Sequence, residues 1–181
     1  MKRPMKTLGL LRHAKSDWDD VGLRDFDRGL NDRGRRGAAL IGRYIAQGRF
    51  TWDAVIASPA ERVRRTIEAS RLPLAPQFDQ RAYLAGPGTL MDLLREIEGD
   101  PASVLLVGHN PGLQELLFRL VDPAQENELF ARAARKFPTA TFAVLELDID
   151  RWDDLAAGCG HLVEFTRPRD LDPALGPEQR A

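Results

Sequence analysis

The chain has 181 residues, 43% of them hydrophobic, which suffices for one sizeable core and is too few for two ordinary domains. Its 26 Lys and Arg against 27 Asp and Glu give a formal net charge of −1, so no overall field attracts nucleic acid or an anionic membrane. The single cysteine excludes an intrachain disulfide, and no apolar run is long enough for a membrane helix. These features predict a cytoplasmic protein without nucleic-acid or membrane partners, in which any anion site is local.

Strands and helices alternate along the chain. In chain order the predicted elements are a strand at 6–12, a helix at 33–47, a strand at 53–57, helices at 59–70 and 88–98, a strand at 103–107, a helix from 111 to about 120, and strands at 140–148 and 161–166. This alternation predicts a three-layer α/β sandwich, with a largely parallel central sheet and helices on both faces. The last two strands have no helix between them, which favours an antiparallel edge.

The domain prediction follows from the same pattern. Residues 1–170 are expected to form a single domain, and residues 171–181 (LDPALGPEQRA) a flexible C-terminal tail. No repeat or Gly- and Pro-rich linker divides the chain. We therefore look for one functional site on one sheet.

The first strand is followed directly by Arg12 and His13, within the stretch LLRHAKSD. In an open α/β sheet, ligands bind at the carboxyl ends of the strands, so the residues that follow each strand are the ones to compare. Arg12 or His13 alone would more often be an ordinary polar residue at a strand end. The comparison with the other junctions decides their interpretation.

The second junction is SPAERVRRT, after the strand at 53–57. Ser58 as N-cap, Pro59 at the first helical position and Glu61 two residues later form a predicted capping box. Arg62 would then lie in the first helical turn, with Thr66 one turn further along the same face.

The third junction is VGHNPGL, where the strand at 103–107 leads into His109. Asn110 and Pro111 are predicted to be the N-cap and first residue of the next helix. Two histidines (His13 and His109) and two arginines (Arg12 and Arg62) are thus expected at one edge of the sheet. The other arginines of these helices, such as Arg33 and Arg64, are interpreted as solvated.

This combination of side chains favours phosphate chemistry. Guanidinium groups bind phosphate through paired, charge-assisted hydrogen bonds, and helix N-termini add amide donors. A neutral imidazole is a competent nucleophile toward phosphorus, and a second imidazole can stabilise charge on the transferring group. The residues therefore predict phosphoryl transfer through a phosphohistidine, without a cofactor.

A zinc site is the alternative chemistry. His13, His109 and either Asp17 or Asp19 are conceivable ligands. Two adjacent arginines would oppose a divalent cation, so we favour a metal-free site.

The three stretches LLRHAKSD, SPAERVRRT and VGHNPG, in this order and spacing, resemble the signatures of the histidine phosphatase superfamily, in the small cap-less branch typified by SixA phosphohistidine phosphatases. The resemblance spans most of the chain and implies the phosphoglycerate-mutase-like fold. It also implies a nucleophile at His13, phosphate contacts from Arg12 and Arg62, and a second phosphate-pocket histidine at His109. All four residues would then be both catalytic and phosphate-binding.

The general acid is the weakest part of the resemblance. The mutase-like branch has a glutamate after the second helix, whereas this chain has FDQRAY, in which Asp79 is the nearest carboxylate. A weak acid handicaps alkyl phosphate esters more than phosphoramidates, whose imidazole leaves readily once protonated. That asymmetry favours phosphohistidine on a protein, such as a histidine-phosphotransfer domain, as the substrate.

Two other functions remain open at this point. One is a phosphomonoesterase of the same superfamily that acts on a small phosphorylated molecule. The other is a catalytically silent module that binds phosphate or a phosphoprotein, against which an intact His13 argues.

Overall fold

The computed structural model describes residues 5–176, which contain six strands and six α-helices. The strands are β1 (Lys6–Arg12), β2 (Ala54–Ala57), β3 (Gln77–Phe78), β4 (Ser103–Gly108), β5 (Phe142–Leu147) and β6 (Gly160–Thr166). The helices are α1 (Asp32–Gln47), α2 (Glu61–Ser70), α3 (Pro87–Arg95), α4 (Gly112–Leu120), α5 (Glu128–Arg135) and α6 (Pro168–Leu171).

The strands form one sheet in the order β3-β2-β4-β1-β5-β6. β1, β2, β3 and β4 run parallel, whereas β5 pairs antiparallel with both β1 and β6. The predicted parallel sheet with an antiparallel edge is confirmed. Every residue of β4, SVLLVG, is buried, as expected for a central strand covered on both faces.

Helices cover both faces of this sheet. On one face, Ile41 of α1 and Val63 of α2 belong to a core cluster that includes Leu105 of β4. On the other face, Leu117 of α4 packs in a second cluster with Leu106, the next residue of β4. Successive strand residues point to opposite faces, so β4 contributes to both clusters and the three-layer prediction is confirmed.

The start of α2 differs from the prediction. The helix begins at Glu61, with Ala60 as its N-cap and no side-chain cap, so the capping box predicted for Ser58 and Glu61 is wrong. Glu61 instead pairs with Arg65, one turn along the helix, at 2.7 Å. Ser58 lies in the segment between β2 and α2, where its hydroxyl accepts a hydrogen bond from the Ala60 amide at 3.2 Å.

The start of α4 differs in a similar way. Pro111 is the N-cap rather than the first helical residue, and α4 begins at Gly112. Asn110 still supports the helix, because its Oδ1 accepts a hydrogen bond from the Gln114 amide at 3.2 Å. Three further elements, β3, α5 and α6, were not predicted because each is short.

The C-terminal part of the described chain folds against the domain. α6 is followed by a 3-10 turn at Pro173–Leu175, and Arg33 of α1 donates a hydrogen bond to the Gly176 carbonyl. Residues 177–181 of the predicted tail lie outside the described residues. Within 5–176, no helix combines the length and apolar character needed to cross a membrane.

Candidate active site

His13 is fixed immediately after β1. Its amide donates to the Gly108 carbonyl at 3.0 Å, and its ring Nδ1 lies 2.8 Å from the Ala14 carbonyl oxygen. Because a carbonyl oxygen can only accept, Nδ1 carries the hydrogen and Nε2 keeps its lone pair. Burial lowers the pKa of His13 to about 3, and the positive charges of Arg12 and Arg62 act in the same direction. The ring is therefore a neutral, oriented imidazole at neutral pH.

His109 occupies the equivalent position after β4, next to His13. The two ring centroids are 5.3 Å apart, and His109 Nε2 shares a 2.7 Å hydrogen bond with Ser58 Oγ. Burial, together with the charge of Arg62, lowers the pKa of His109 to about 4. Both histidines are thus neutral at neutral pH, so the ring of either one can keep a lone pair for nucleophilic attack.

The two arginines approach from different elements and are held by oxygen atoms of the chain. Arg12 Nη1 donates to the Phe137 carbonyl at 3.0 Å. Arg62, which is 5% exposed, donates through Nη1 to the Asp25 carbonyl at 2.8 Å and through Nη2 to its Oδ2 at 3.0 Å. Burial and the nearby Arg62 lower the pKa of Arg12, which shows that the two positive charges repel each other. We refer to Arg12, His13, Arg62 and His109 as the histidine–arginine cluster.

Two buried nitrogen atoms of this cluster have no hydrogen-bond partner within the described residues. They are Arg12 Nε and His109 Nδ1. Buried polar atoms are almost always paired in folded proteins, and the exceptions concentrate at functional sites. The cluster therefore holds more positive charge and more donors than the chain around it satisfies, which suits a site for an oxyanion.

Thr66 joins the two halves of the cluster. Its Oγ1 accepts a hydrogen bond from the Ala14 amide at 2.9 Å and donates to the Arg62 carbonyl at 2.7 Å. The predicted placement of Thr66 on the face of Arg62 agrees with these contacts. The residue ties the end of β1 to the first turns of α2.

Sequence reasoning missed Asp25 and Tyr83. The Asp25 carboxylate accepts hydrogen bonds from both Arg62 and the Tyr83 hydroxyl, and these contacts hold its pKa below the usual range. The Tyr83 ring lies 5.5 Å from the His109 ring, edge to face. Asp25 belongs to DFDRGLND, which is rich in charged residues, and nothing in that pattern distinguishes it from Asp27. Its role depends on the fold, which brings a loop after β1 against α2.

The hydrogen bonds of the Asp79 carboxylate connect it to Arg81 and not to the histidine–arginine cluster. Its carboxylate accepts from the Arg81 amide at 2.9 Å and from Arg81 Nη2 at 3.0 Å, and Arg81 also bonds Glu96. The hydrogen bonds to Arg81 hold the pKa of Asp79 below its usual range. A carboxyl group that acts as a general acid at neutral pH needs a raised pKa, so that it still carries its proton.

The carboxylates of the zinc alternative lie in the loop after β1. Asp17 Oδ1 accepts a hydrogen bond from the Asp19 amide at 2.9 Å. Residues 5–176 contain no group of three or more His, Cys, Asp or Glu side chains placed to hold a metal ion.

The strand ends explain why distant stretches of sequence meet. Arg12 pairs with Gly108 in the β1–β4 register, and Ala57 pairs with Val107 in the β2–β4 register. The residues that follow these three parallel strands therefore emerge side by side. The fold and the histidine–arginine cluster together define an α/β enzyme of the phosphoglycerate-mutase-like class.

Comparisons with known proteins agree with this class. Residues 8–85 match the model of the histidine phosphatase superfamily (branch 1). An uncharacterised protein of Mycobacterium tuberculosis (strain H37Rv) is 35% identical over 160 residues, which cover 88% of this chain and 100% of that protein.

Solved structures place the chain within the superfamily. A structure from Nakamurella multipartitia, assigned as the phosphohistidine phosphatase SixA, is 28% identical with a TM-score of 0.80, over 91% of this chain and 96% of that one. A second structure with the same assignment, from Agrobacterium tumefaciens, is 32% identical with a TM-score of 0.71, over 91% of this chain and 99% of that one. The chain belongs to the histidine phosphatase superfamily, in its SixA-like branch, and its enzymatic class is that of a phosphatase.

Proposed function

We propose that the protein removes the phosphoryl group from phosphohistidine on a protein, through a covalent intermediate on His13. The observation that carries this proposal is the neutral His13 ring, whose Nδ1 is bonded to the Ala14 carbonyl and whose Nε2 is left as a nucleophile. Arg12 and Arg62 bind the non-bridging oxygens, and His109 stabilises the charge that develops on them. In this role all four residues are catalytic residues.

The reaction has two displacements. In the first, His13 Nε2 attacks phosphorus, the substrate P–N bond breaks, and the substrate imidazole, which already carries a proton on its other ring nitrogen, leaves as a neutral ring. In the second, water attacks the phosphoryl group on His13, which releases inorganic phosphate and restores the neutral ring. The fixed tautomer of His13 serves both steps, because Nδ1 keeps its hydrogen throughout.

The carboxylates support phosphohistidine over an alkyl ester as the substrate. Asp25 is kept ionised by Tyr83 and Arg62, and Asp79 by Arg81. Neither is suited to protonate an alkoxide leaving group, which alkyl esters require. A phosphoramidate is less demanding, since its imidazole leaves once it is protonated. The same reasoning disfavours Asp79 as the general acid. The proton that the leaving imidazole needs then comes from the substrate's own ring.

Access to the site supports a protein substrate. Residues 13–31 and 71–86, the two connections beside the cluster, contain short strands, bridges and 3-10 turns but no α-helix that would serve as a lid. A single cap-less domain over residues 1–170 leaves room for a histidine on a helix of a histidine-phosphotransfer domain. A cytoplasmic location, favoured by the lone cysteine, forms part of the same proposal.

Metal independence is a further part of the proposal. Arg12 and Arg62 bring the positive charge that a cation would otherwise supply to the phosphate. The rate should remain unchanged after exhaustive treatment with EDTA. A loss of activity that zinc or magnesium restores would refute metal independence.

A substrate panel tests the main proposal. The purified protein is offered a phosphohistidine protein, free phosphoramidate, an aryl phosphate and sugar phosphates, and kcat/KM is compared. We expect the highest value for the phosphohistidine protein. A higher value for a sugar phosphate would favour the small-molecule phosphomonoesterase, and no turnover of any substrate would favour the silent binding module.

A further inference from the structure

A cavity lies at the same edge of the sheet as the histidine–arginine cluster. Its volume is about 350 Å³, and none of the four cluster residues lines it. Its walls come from the residues directly after His13, the first turns of α1, the segment 136–140 before β5, and the segment 167–176. We refer to it as the basic cavity.

The charge of this cavity is unusual for a nearly neutral protein. Its charged lining residues within the described chain are all basic, namely Lys15, Arg33, Lys136, Arg167 and Arg169. Like charges gathered around one concave space create a local positive potential and attract a counter-anion. The formal net charge of −1 makes this local excess a feature of the site and not of the composition.

Two of the five cations already have partners. Arg33 donates to the Gly176 carbonyl, and Arg167 pairs with Asp170 at 2.8 Å. The side chains of Lys15, Lys136 and Arg169 make no hydrogen bond or ion pair with another residue of the 5–176 region. Three positive charges thus converge on the cavity without a carboxylate from the described chain to neutralise them.

We propose that the basic cavity is a second anion-binding site, which takes a phosphate-type dianion separate from the phosphoryl group that reacts at His13. The volume lies at the lower end of the range for small-molecule sites, which suits one phosphate group and a small attached moiety. Arg33 and Gly34 belong to the first turn of α1, so the positive end of the helix dipole reinforces the lining charges.

The site is adjacent to the histidine–arginine cluster and shares its backbone. Ala14 and Lys15 directly follow His13, and the Ala140 amide donates to the carbonyls of Arg12 and His13 at 3.1 and 3.0 Å. The dianion is therefore either a free ion or a second phosphate group on a molecule whose first group occupies the cluster. The chemistry of recognition is the same in both cases.

A titration with inorganic phosphate tests the site without relying on catalysis. Backbone amide shifts of the full chain are followed by NMR at low ionic strength. We expect two groups of shifts, one around His13 and His109 and one around Gly37 and Thr139, which line the basic cavity. The double variant Lys136→Gln with Arg169→Gln should weaken the second group by about tenfold or more and leave the first intact.

A matched control separates a built site from general charge. Arg36→Gln with Arg43→Gln removes the same charge from α1, away from the cavity lining, and should leave both groups of shifts unchanged. The proposal is overturned if phosphate shifts only the residues around the cluster, or if the control pair weakens the second group as much as the cavity pair does.

A kinetic arm identifies the source of the dianion and rests on the proposed phosphatase function. The cavity double variant is assayed with an aryl phosphate and with a substrate that bears a second phosphate group. A KM raised about tenfold only for the second substrate supports the site as a subsite for the substrate. Unchanged KM values, together with the loss of the second group of shifts, support a free ion as its ligand. Absence of turnover of both substrates by the wild type would refute the proposed function but leave the titration result standing.

Discussion

The histidine–arginine cluster and the basic cavity both concentrate positive charge at one edge of the sheet, but they are built differently. In the cluster, Arg62 is 5% exposed and is held by two oxygen atoms of Asp25. In the cavity, Lys136 is exposed and has no such partner within the described residues. Charge alone serves for binding an anion, whereas catalysis needs charges fixed in position before the substrate arrives. The two regions therefore separate the contribution of charge from that of orientation.

The nucleophile provides the largest expected effect. His13→Ala removes the attacking nitrogen and should lower kcat by about 10⁴-fold or more, since a covalent nucleophile contributes on this scale. The measurement is steady-state hydrolysis of a phosphohistidine protein. Loss of the cavity residues should produce no comparable effect on an aryl phosphate.

Trapping the intermediate distinguishes the two histidines. After a rapid quench that avoids acid, peptide mapping with labelled substrate should find acid-labile phosphate on the peptide that contains His13. Label on the peptide that contains His109 would reverse the roles proposed for the two rings.

Replacement of arginine by lysine sharpens the comparison most directly. Arg62→Lys keeps the charge but removes the planar fork, so kcat/KM should fall by about 30-fold to 1000-fold, or about 2 to 4 kcal/mol. Arg169→Lys makes the same chemical change in the basic cavity, where no described partner fixes the guanidinium, and should be nearly neutral toward an aryl phosphate.

Two observations would contradict this prediction. If Arg62→Lys were as active as the wild type, the proposal that the Arg62 guanidinium makes a paired contact with the phosphate would be refuted. If Arg169→Lys were equally damaging, the cavity would belong to the reacting site. Arg65→Lys, on the exposed face of the same helix, controls for general effects on α2.

The sequence predicts the junctions well because they depend on local rules. A polar residue after a buried strand marks the sheet edge where ligands bind, and three such junctions suffice to bring Arg12, His13, Arg62 and His109 together. The exact helix starts are less predictable. Ser58 has the right residue type for a capping box, but its hydroxyl contacts His109 instead, so tertiary contacts override the local preference.

The environment of Arg62 could not be predicted from α2 alone. A first-turn arginine in an arginine-rich helix is expected to be exposed, yet the loop that carries Asp25 covers it. The role of the loop depends on contacts between residues 37 positions apart. The basic cavity could not be predicted for the same reason, because its cations come from four separate segments that only the fold brings together.

The pH dependence of stability tests whether His13 is neutral because it is buried. Its pKa is about 3 in the folded chain and about 6.5 when unfolded, so below pH 6.5 the unfolded chain binds the extra proton. The resulting stability is present above pH 6.5 and is lost as the pH falls toward 3. Between pH 7 and 4.5 the wild type should lose about 2 kcal/mol more unfolding free energy than His13→Gln does.

Urea unfolding followed by circular dichroism measures this difference. Titrating groups away from His13 are common to both proteins and cancel in the comparison. The pKa of the neighbouring His109 is lowered chiefly by burial and by Arg62, and both causes persist in the variant. Thr139→Ala, which changes the basic cavity without altering a titratable group, should keep the pH dependence of the wild type. Identical pH dependence for His13→Gln and the wild type would mean that His13 takes up protons freely in the folded state.

The smallest expected effect concerns Asp25, a positioning residue that acts on the reaction through Arg62. Asp25→Asn keeps the backbone carbonyl that Arg62 contacts but removes the negative charge that both Arg62 and Tyr83 engage. We expect kcat/KM to fall by about tenfold, which corresponds to about 1.4 kcal/mol, with little change in melting temperature because the carboxylate is about half exposed and the asparagine can still accept from Arg62. A double-mutant cycle separates positioning from a merely structural role. If Asp25 acts by orienting Arg62, Asp25→Asn should have little further effect in the Arg62→Lys background, since the fork that it orients is already absent. Full additivity of the two losses would show that Asp25 affects the reaction independently of Arg62, and the contrast between a fixed cluster and an adaptable cavity would then rest on burial alone.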